Sequence, residues 1–557
     1  MRKNYRVNKR LLLYFLCLSG CISLSQTATG FIWPIDSPRI ITGNYGELRP
    51  NHFHAGIDFS TRGQVNLQVY SVAAGYVSRI RVSATGYGKS VYITHPNGKV
   101  SLYAHLNAFS LKIADVVKKE QFAKQSYEVE IFPKRNEITV RSNEIIGLSG
   151  NTGGSTGPHL HFEIRGEKSE TPLNPLTFFK ISDREKPVIQ KIGFYSLADT
   201  CSPAFIKAVR VEGSSLATGS NSITLDHAIV GFAFAGFDRC VPNGNPNNIF
   251  SAKVYMDDRL IYSHALDNID FSENRYVNEF SEPNGGVKFQ KCFLPTLYPW
   301  QMYGSCFNKG RILLSDSNYH HLKFIAADES GNEQKLDFYV KAGKFDYYRP
   351  SAAKSDVVVN CSKDFIWRKN KLYLSVPAKT LFYSTPLTID NAIETTGRLA
   401  VSPSGINLRS PAIIGFKVPE RWMKNKTKLV LRNGSSVYAP TLRNDSVFYA
   451  VKNFGTFQLG ADTGKPKIRT FLTARQLKKV QNPGSFSFVI EDNSSGIMNY
   501  SLFLNNSWVI GEYDAKSNLL TYYMDEDTPA GDLAFKLVVE DKVGNKAELK
   551  YVLKRLK

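Results

Sequence analysis

A chain of 557 residues with 42% hydrophobic and 21% charged residues is too long for one core and too apolar for a disordered or collagen-like protein. Its formal net charge of +21 is not gathered into compact Lys/Arg runs, and no nucleic-acid module is recognisable, so nucleic acid is set aside as a partner and an anionic wall or envelope surface is favoured. The 35 Phe, 28 Tyr and many short alternating runs point to a mainly β protein of several domains.

Residues 1–25 read as a signal peptide. Arg2, Lys3, Arg6, Lys9 and Arg10 precede an apolar stretch from Leu11 to Leu18, too short to span a bilayer. Ser23-Leu24-Ser25 before Gln26 offers a cleavage site. Leu18-Ser19-Gly20-Cys21 offers instead a lipobox, which would leave a lipid anchor at Cys21. Either way the protein is expected to be exported, to the periplasm or cell envelope, free or as a membrane-anchored lipoprotein. Export permits disulfides, and Cys292 with Cys306 or Cys201 with Cys240 are open pairings.

The chemistry concentrates at residues 30–184. Six of the ten histidines (His52, His54, His95, His105, His159, His161) fall between positions 52 and 161. His54-Ala55-Gly56-Ile57-Asp58 sets an imidazole and a carboxylate four apart, with a glycine between them to let the backbone turn. Next comes a hairpin, Ser90 to His95 and Ser101 to Leu106, joined through Pro96-Asn97-Gly98-Lys99. It places His105 near the end of the return strand. Lys99 lacks the setting of a carrier-domain lysine. A loop from Gly147 to Gly157 with five glycines then enters a strand at Pro158, where His159 and His161, two apart, share one face. His95 beside its turn reads as structural, and His52 as bordering a cleft.

Those three pieces, in that order, resemble the motifs of the LytM/lysostaphin family of zinc endopeptidases. The resemblance covers about a quarter of the chain, residues 32–180, and implies a fold and a chemistry. The fold would be an antiparallel β peptidase domain. One Zn²⁺ would be held by His54, Asp58 and His161, with His105 and His159 as catalytic imidazoles that do not bind the metal. The substrate would be the peptide part of peptidoglycan. Three protein ligands leave one tetrahedral position open for water, as a catalytic zinc site requires. His159 is assigned the base and His105 the electrostatic role, and the two could exchange. The competing function is a silent envelope scaffold that activates another wall hydrolase.

Residues 114–139 depart from a compact member of that family. They read as a strand-bearing excursion, cationic through Lys118, Lys119, Lys124, Lys134 and Arg135. It is expected either to wall the substrate groove or to be an ordinary solvated hairpin.

Beyond Pro187 the pattern reads as Ig-like β-sandwich modules at 187–343, with an insertion around 267–315, and at 468–557. Residues 344–467 form a less readable β region between them. Asp328-Glu329-Ser330-Gly331-Asn332 and Asp541-Lys542-Val543-Gly544-Asn545 look like diverged copies of one hairpin, and the approach to Asp492 echoes the approach to Asp238. The acidic loops read first as ordinary turns and second as calcium sites. Binding of the wall, binding of envelope proteins and simple spacing all stay open as roles for these modules.

Overall fold

In a computed structural model of the chain, the described residues are 30–179, 181–197, 203–242, 244–344, 355–471 and 484–553. The expected signal segment, Cys21 and Cys201 lie outside them. Among the described residues no helix is long and apolar enough to cross a membrane.

The N-terminal domain contains, in chain order, β1 (Ile41–Gly43), β2 (Leu48–Arg49), β3 (His52–Phe53), β4 (Ile57–Ser60), β5 (Gln68–Tyr70), β6 (Gly75–Val82) and β7 (Lys89–Thr94). There follow β8 (Lys99–Leu106), β9 (Ala108–Phe109), α1 (Leu111–Lys124), β10 (Val129–Ile131), β11 (Thr139–Val140), β12 (Ile145–Leu148), β13 (His159–Gly166) and β14 (Pro172–Leu173). The main sheet runs β1-β4-β13-β8-β7-β6-β10, and β5-β12-β9 form a second, smaller sheet. β13 is central, with β4 on one side and β8 on the other, both antiparallel to it. Strand alternation explains its sequence. Leu160, Phe162 and Ile164 enter the core, while His159, His161, Glu163 and Arg165 share the opposite face.

The excursion bears the expected strand, β10, paired with β6, but its first half is the helix α1, which was not expected. One narrow stripe, Ile113, Val117 and Gln121, is buried, and its third member is polar, so helical periodicity in the sequence is faint. The excursion packs against the last module. Phe122 meets the Trp508 ring edge-on at 5.4 Å, and Lys118 pairs with Asp527 at 3.1 Å. Lys112 and Lys124 pair with Glu144 and Glu120.

Downstream, three units each place two sheets over one core. In the first, strands at Val188–Ser196 and Ile229–Phe237 face strands at Ser251–Met256, His320–Ala327 and Glu333–Ala342. Ser222–Leu225 runs parallel to the last of these, a departure from the antiparallel rule elsewhere. Residues 357–461 and 467–553 form the other two pairs of sheets. Cys292 and Cys306 carry free thiols, so the pairing considered for them is not formed. The insertion after Ala265 works as an adhesive between units. Phe280 packs on Phe53 at 5.8 Å, Tyr276 on Phe382 at 5.5 Å, and Arg275 donates to Asn51 and to the carbonyls of Leu408 and Lys452.

Phe162 is 0% exposed and touches the rings of Phe59, Tyr103 and Phe179. Phe162→Ala is expected to destabilise the N-terminal domain by about 3–5 kcal/mol, read as an earlier urea midpoint for that domain. A shift below about 1 kcal/mol would contradict the packing described.

Candidate metal centre

Register builds the centre. His161 on β13 lies directly opposite Asp58 on β4 and opposite Ala104 on β8. His54 arrives from the turn before β4, where its N–H donates to the Glu47 carbonyl at 2.9 Å. Three atoms then converge. His54 Nε2 is 2.9 Å from His161 Nδ1 and 3.1 Å from Asp58 Oδ1, and His161 Nδ1 is 3.0 Å from Asp58 Oδ1. All three residues are buried, and they are a group that could hold a metal ion. Donor atoms about 2.0–2.1 Å from a tetrahedral ion stand about 3.3 Å apart, close to this triangle.

The outer atoms show why the triangle suits a cation. His54 Nδ1–H donates to the Asn44 carbonyl at 2.7 Å, and His161 Nε2–H donates to Glu163 Oε1 at 2.9 Å. Each imidazole therefore turns its lone pair inward. Asp58 divides its oxygens, giving Oδ1 to the triangle and Oδ2 to the Arg49 guanidinium. Burial pushes Asp58 up, but His54, His159 and His161 hold it well below the usual carboxylate range. Burial lowers His161, yet Asp58 and Glu163 raise it to about 9. Positive charge is thus stabilised at this point. Glu163, itself held down to about 2 against burial by Arg165 and His161, receives Arg165 Nε at 2.7 Å and the Tyr87 hydroxyl.

The two other expected imidazoles are beside the triangle. His159 Nδ1–H donates to the Gly157 carbonyl at 2.8 Å, leaving a buried Nε2 without a hydrogen-bond partner, 3.4 Å from Asp58 Oδ1. His105 Nδ1–H donates to the Thr152 carbonyl at 2.8 Å, and its ring centre is 4.8 Å from that of His159. Burial first, then His161 and His159, lower His105 to about 3, so its ring is neutral. A register shift in the β7–β8 pairing and a φ of 58° at His105 turn this side chain to the centre.

His52 and His95 are not part of the group. His52 is exposed beside the Pro50 carbonyl, and His95 is buried between the Ala74 carbonyl and the Ser101 hydroxyl. Asn44, Arg49, Tyr87, Thr152, Glu163 and Arg165 escaped sequence reasoning. For Glu163 and Arg165 the signal was there, since both continue the period of two that links His159 to His161.

The glycine-rich loop is held from the far end of the chain. Lys516 Nζ donates to the carbonyls of Gly153, at 3.3 Å, and Asn151, either side of Thr152. Lys89, whose N–H bonds the Thr152 hydroxyl, pairs with Glu512 at 2.8 Å.

Gly56 corrects one sequence argument. It has no left-handed φ, so no special turn requires it. It is needed for space, because a Cβ there would sit 2.2 Å from the Phe162 carbonyl oxygen. Gly56→Ala must push β4 off β13 and spread Asp58 from His161. Zn²⁺ affinity, measured by chelator competition, is expected to fall about 10–100-fold, and unchanged affinity would contradict the close-approach argument.

Residues 52–124 and 130–175 match the model of Peptidase family M23. The DD-carboxypeptidase/endopeptidase Mpg of Neisseria meningitidis is 36% identical over 124 residues, 22% of this chain and 22% of that protein. The peptidoglycan DD-endopeptidase ShyA of Vibrio cholerae is 31% identical over 138 residues, 24% of this chain and 26% of its own length. A zinc-containing peptidase from Vibrio cholerae of solved structure is 26% identical, covers 27% of this chain and 40% of that one, and has a TM-score of 0.20. The match thus spans about a fifth to a quarter of the curated relatives' length.

Proposed function

We propose that residues 52–124 and 130–175, which match Peptidase family M23, form a LytM-type peptidase domain, and that the chain is an exported zinc metalloendopeptidase acting on stem peptides or cross-links of peptidoglycan. The observation that carries this reading is the meeting of His54 Nε2, Asp58 Oδ1 and His161 Nδ1 beside two further imidazoles. In it, those three residues hold one Zn²⁺. The chemistry such an ion supplies is Lewis acidity, which acidifies water and polarises a carbonyl.

The protein's own groups do the rest. His159 keeps Nδ1–H on the Gly157 carbonyl, so its lone pair at Nε2 points to the centre, where it takes a proton from water and later returns it to the leaving amine. His105, anchored in the same manner through Nδ1 and neutral, also presents its Nε2 lone pair to the centre. It takes the electrostatic role on the carbonyl oxygen only by accepting the water proton that His159 would otherwise take, so the two roles can exchange. Glu163 and Arg165 orient His161.

The relatives' names, a DD-carboxypeptidase/endopeptidase and a peptidoglycan DD-endopeptidase, support the wall peptide as substrate class. The net charge of +21 suits an anionic envelope. The proposed Ig-like modules at 187–343 and 468–557, and the β unit at 344–467, carry the enzyme on the wall or on an envelope partner, after export by residues 1–25 or anchoring at Cys21.

Elemental analysis and release of amino groups from purified wall test these roles together. His54→Ala and His161→Ala are expected to lose both zinc and activity. His159→Ala is expected to keep its zinc and lose about 10²–10⁴-fold in rate. Zinc-loaded wild type that releases no amino groups would put a silent scaffold in the enzyme's place.

A further inference from the structure

The chain holds 70 Lys and Arg against 49 Asp and Glu, yet at one junction acids gather without a cation. Asp183, on the segment leaving the N-terminal domain, meets Asp238 and Cys240 of the next unit, with ligand atoms within 4.8 Å of one another. Asp328 and Glu329 stand close enough to act on them electrostatically. Among the described residues none of these four carboxylates has an ion pair. The adjacent Arg239 turns away, donating to the Gly244 carbonyl at 3.1 Å and lying over the Phe237 ring.

Two side chains there are buried with oxygens that meet nothing. Asp238 is 0% exposed, and neither of its carboxylate oxygens has a hydrogen-bond partner. The Oδ1 of Asn247, 3% exposed, is likewise unpartnered. Asp238 and Asn247 bridge through their main chains as an antiparallel pair, so their side chains lie on one face, and Asn247 Nδ2 is 3.5 Å from Cys240 Sγ. Burying such groups unpaired is costly. Burial, then Asp328 and Asp183, push Asp238 up to about 7, with the Arg239 N–H offsetting this from outside hydrogen-bond geometry. Burial, followed by the acids around it, also pushes the Cys240 thiol up, so it stays protonated and the available charged donors are oxygens. Oxygen donors select a hard cation of the calcium or magnesium kind.

The last module holds a second copy of the Asp-x-x-Gly-Asn hairpin with its own acidic cluster. There Asp462, Asp492 and Asp541, the counterparts of Asp183, Asp238 and Asp328, bring ligand atoms within 4.8 Å of one another, whereas the third member of the first group is Cys240. In both copies the asparagine of the Asp-x-x-Gly-Asn hairpin reaches the carbonyl of the entering aspartate, Asn332 to Asp183 at 3.3 Å and Asn545 to Asp462 at 2.9 Å. In the first copy main-chain N–H groups reach two of the three carboxylates, Glu185 donating to Asp183 at 2.9 Å and Asn332 to Asp328 at 2.8 Å. In the second copy they reach all three. Ser495 donates to Asp462 at 3.0 Å, Gly496 to Asp492 at 2.7 Å and Asn545 to Asp541 at 2.8 Å. That cluster is closed by its own turns. Asp238 has no such donors.

We propose that Asp183, Asp238 and the Asn247 amide oxygen, backed by Asp328 and Glu329, bind one calcium-class divalent cation at the junction of the N-terminal domain with the following β unit. The site stands independently of the peptidase reading, but it adjoins that centre. Glu329 Oε1 accepts from Asn44 Nδ2 at 3.0 Å, and the Asn44 carbonyl accepts from His54 at 2.7 Å.

The test is calorimetric titration of the zinc-loaded full chain with CaCl2 at fixed zinc, paired with thermal melts. One Ca²⁺ per chain and a raised Tm are expected. Asp238→Asn and Asp183→Asn should weaken binding on the order of tenfold or more, while Asp492→Asn binds as wild type does. Asp238→Asn removes a buried charge, so its calcium-free Tm should equal or exceed that of wild type, which separates a lost site from a lost fold. No heat and no Tm shift up to millimolar calcium would overturn the proposal. So would binding that survives Asp238→Asn or disappears in Asp492→Asn.

Discussion

His54 Nε2, Asp58 Oδ1 and His161 Nδ1 are electron-rich atoms pressed to within 3.1 Å of one another in a buried place. Such atoms repel unless positive charge stands between them, and burial removes the water that would otherwise soften the repulsion. Much of the N-terminal domain is organised to impose this arrangement. The central strand puts His161 opposite Asp58, Gly56 lets the neighbouring strand approach, and Asn44 and Glu163 draw the outer imidazole protons away from the centre.

The surrounding units brace the same place from several sides. Asn44 is tied to Asn248 and Glu329 of the next unit as well as to His54. Arg165, which supports Glu163, lies over the Phe271 ring of the insertion at 4.6 Å. Lys516 of the last module grips the loop whose Thr152 carbonyl orients His105. A side chain held in a left-handed backbone conformation, as His105 is, needs support of this kind to stay in place. Downstream β units and centre are therefore one mechanical system, joined by particular hydrogen bonds.

What could be read in the sequence was whatever depends on local spacing. The His54–Asp58 interval, the alternation of His159 and His161, the Asn97-Gly98 hairpin and the paired Asp-x-x-Gly-Asn turns all have short-range causes, and each occurs as a recognisable element. What could not be read depends on contacts between distant segments. Helix α1 buries so narrow a stripe that its period is faint, and it is completed by Trp508 and Asp527 far along the chain. The reason for Gly56 lies in the Phe162 carbonyl on another strand. Cys292 and Cys306, close in sequence, remain thiols. Asp238 looked like an ordinary turn acid, and only its unpartnered burial sets it apart from Asp492.

The central claim is that one zinc ion is held by two imidazoles and one carboxylate, and X-ray absorption at the zinc edge of the loaded full-length chain addresses it most directly. The account predicts a first shell of nitrogen and oxygen only, at about 2.0–2.1 Å, with the outer-ring scattering of two imidazoles. A sulfur shell at about 2.3 Å, or the scattering of fewer than two imidazoles, would contradict it.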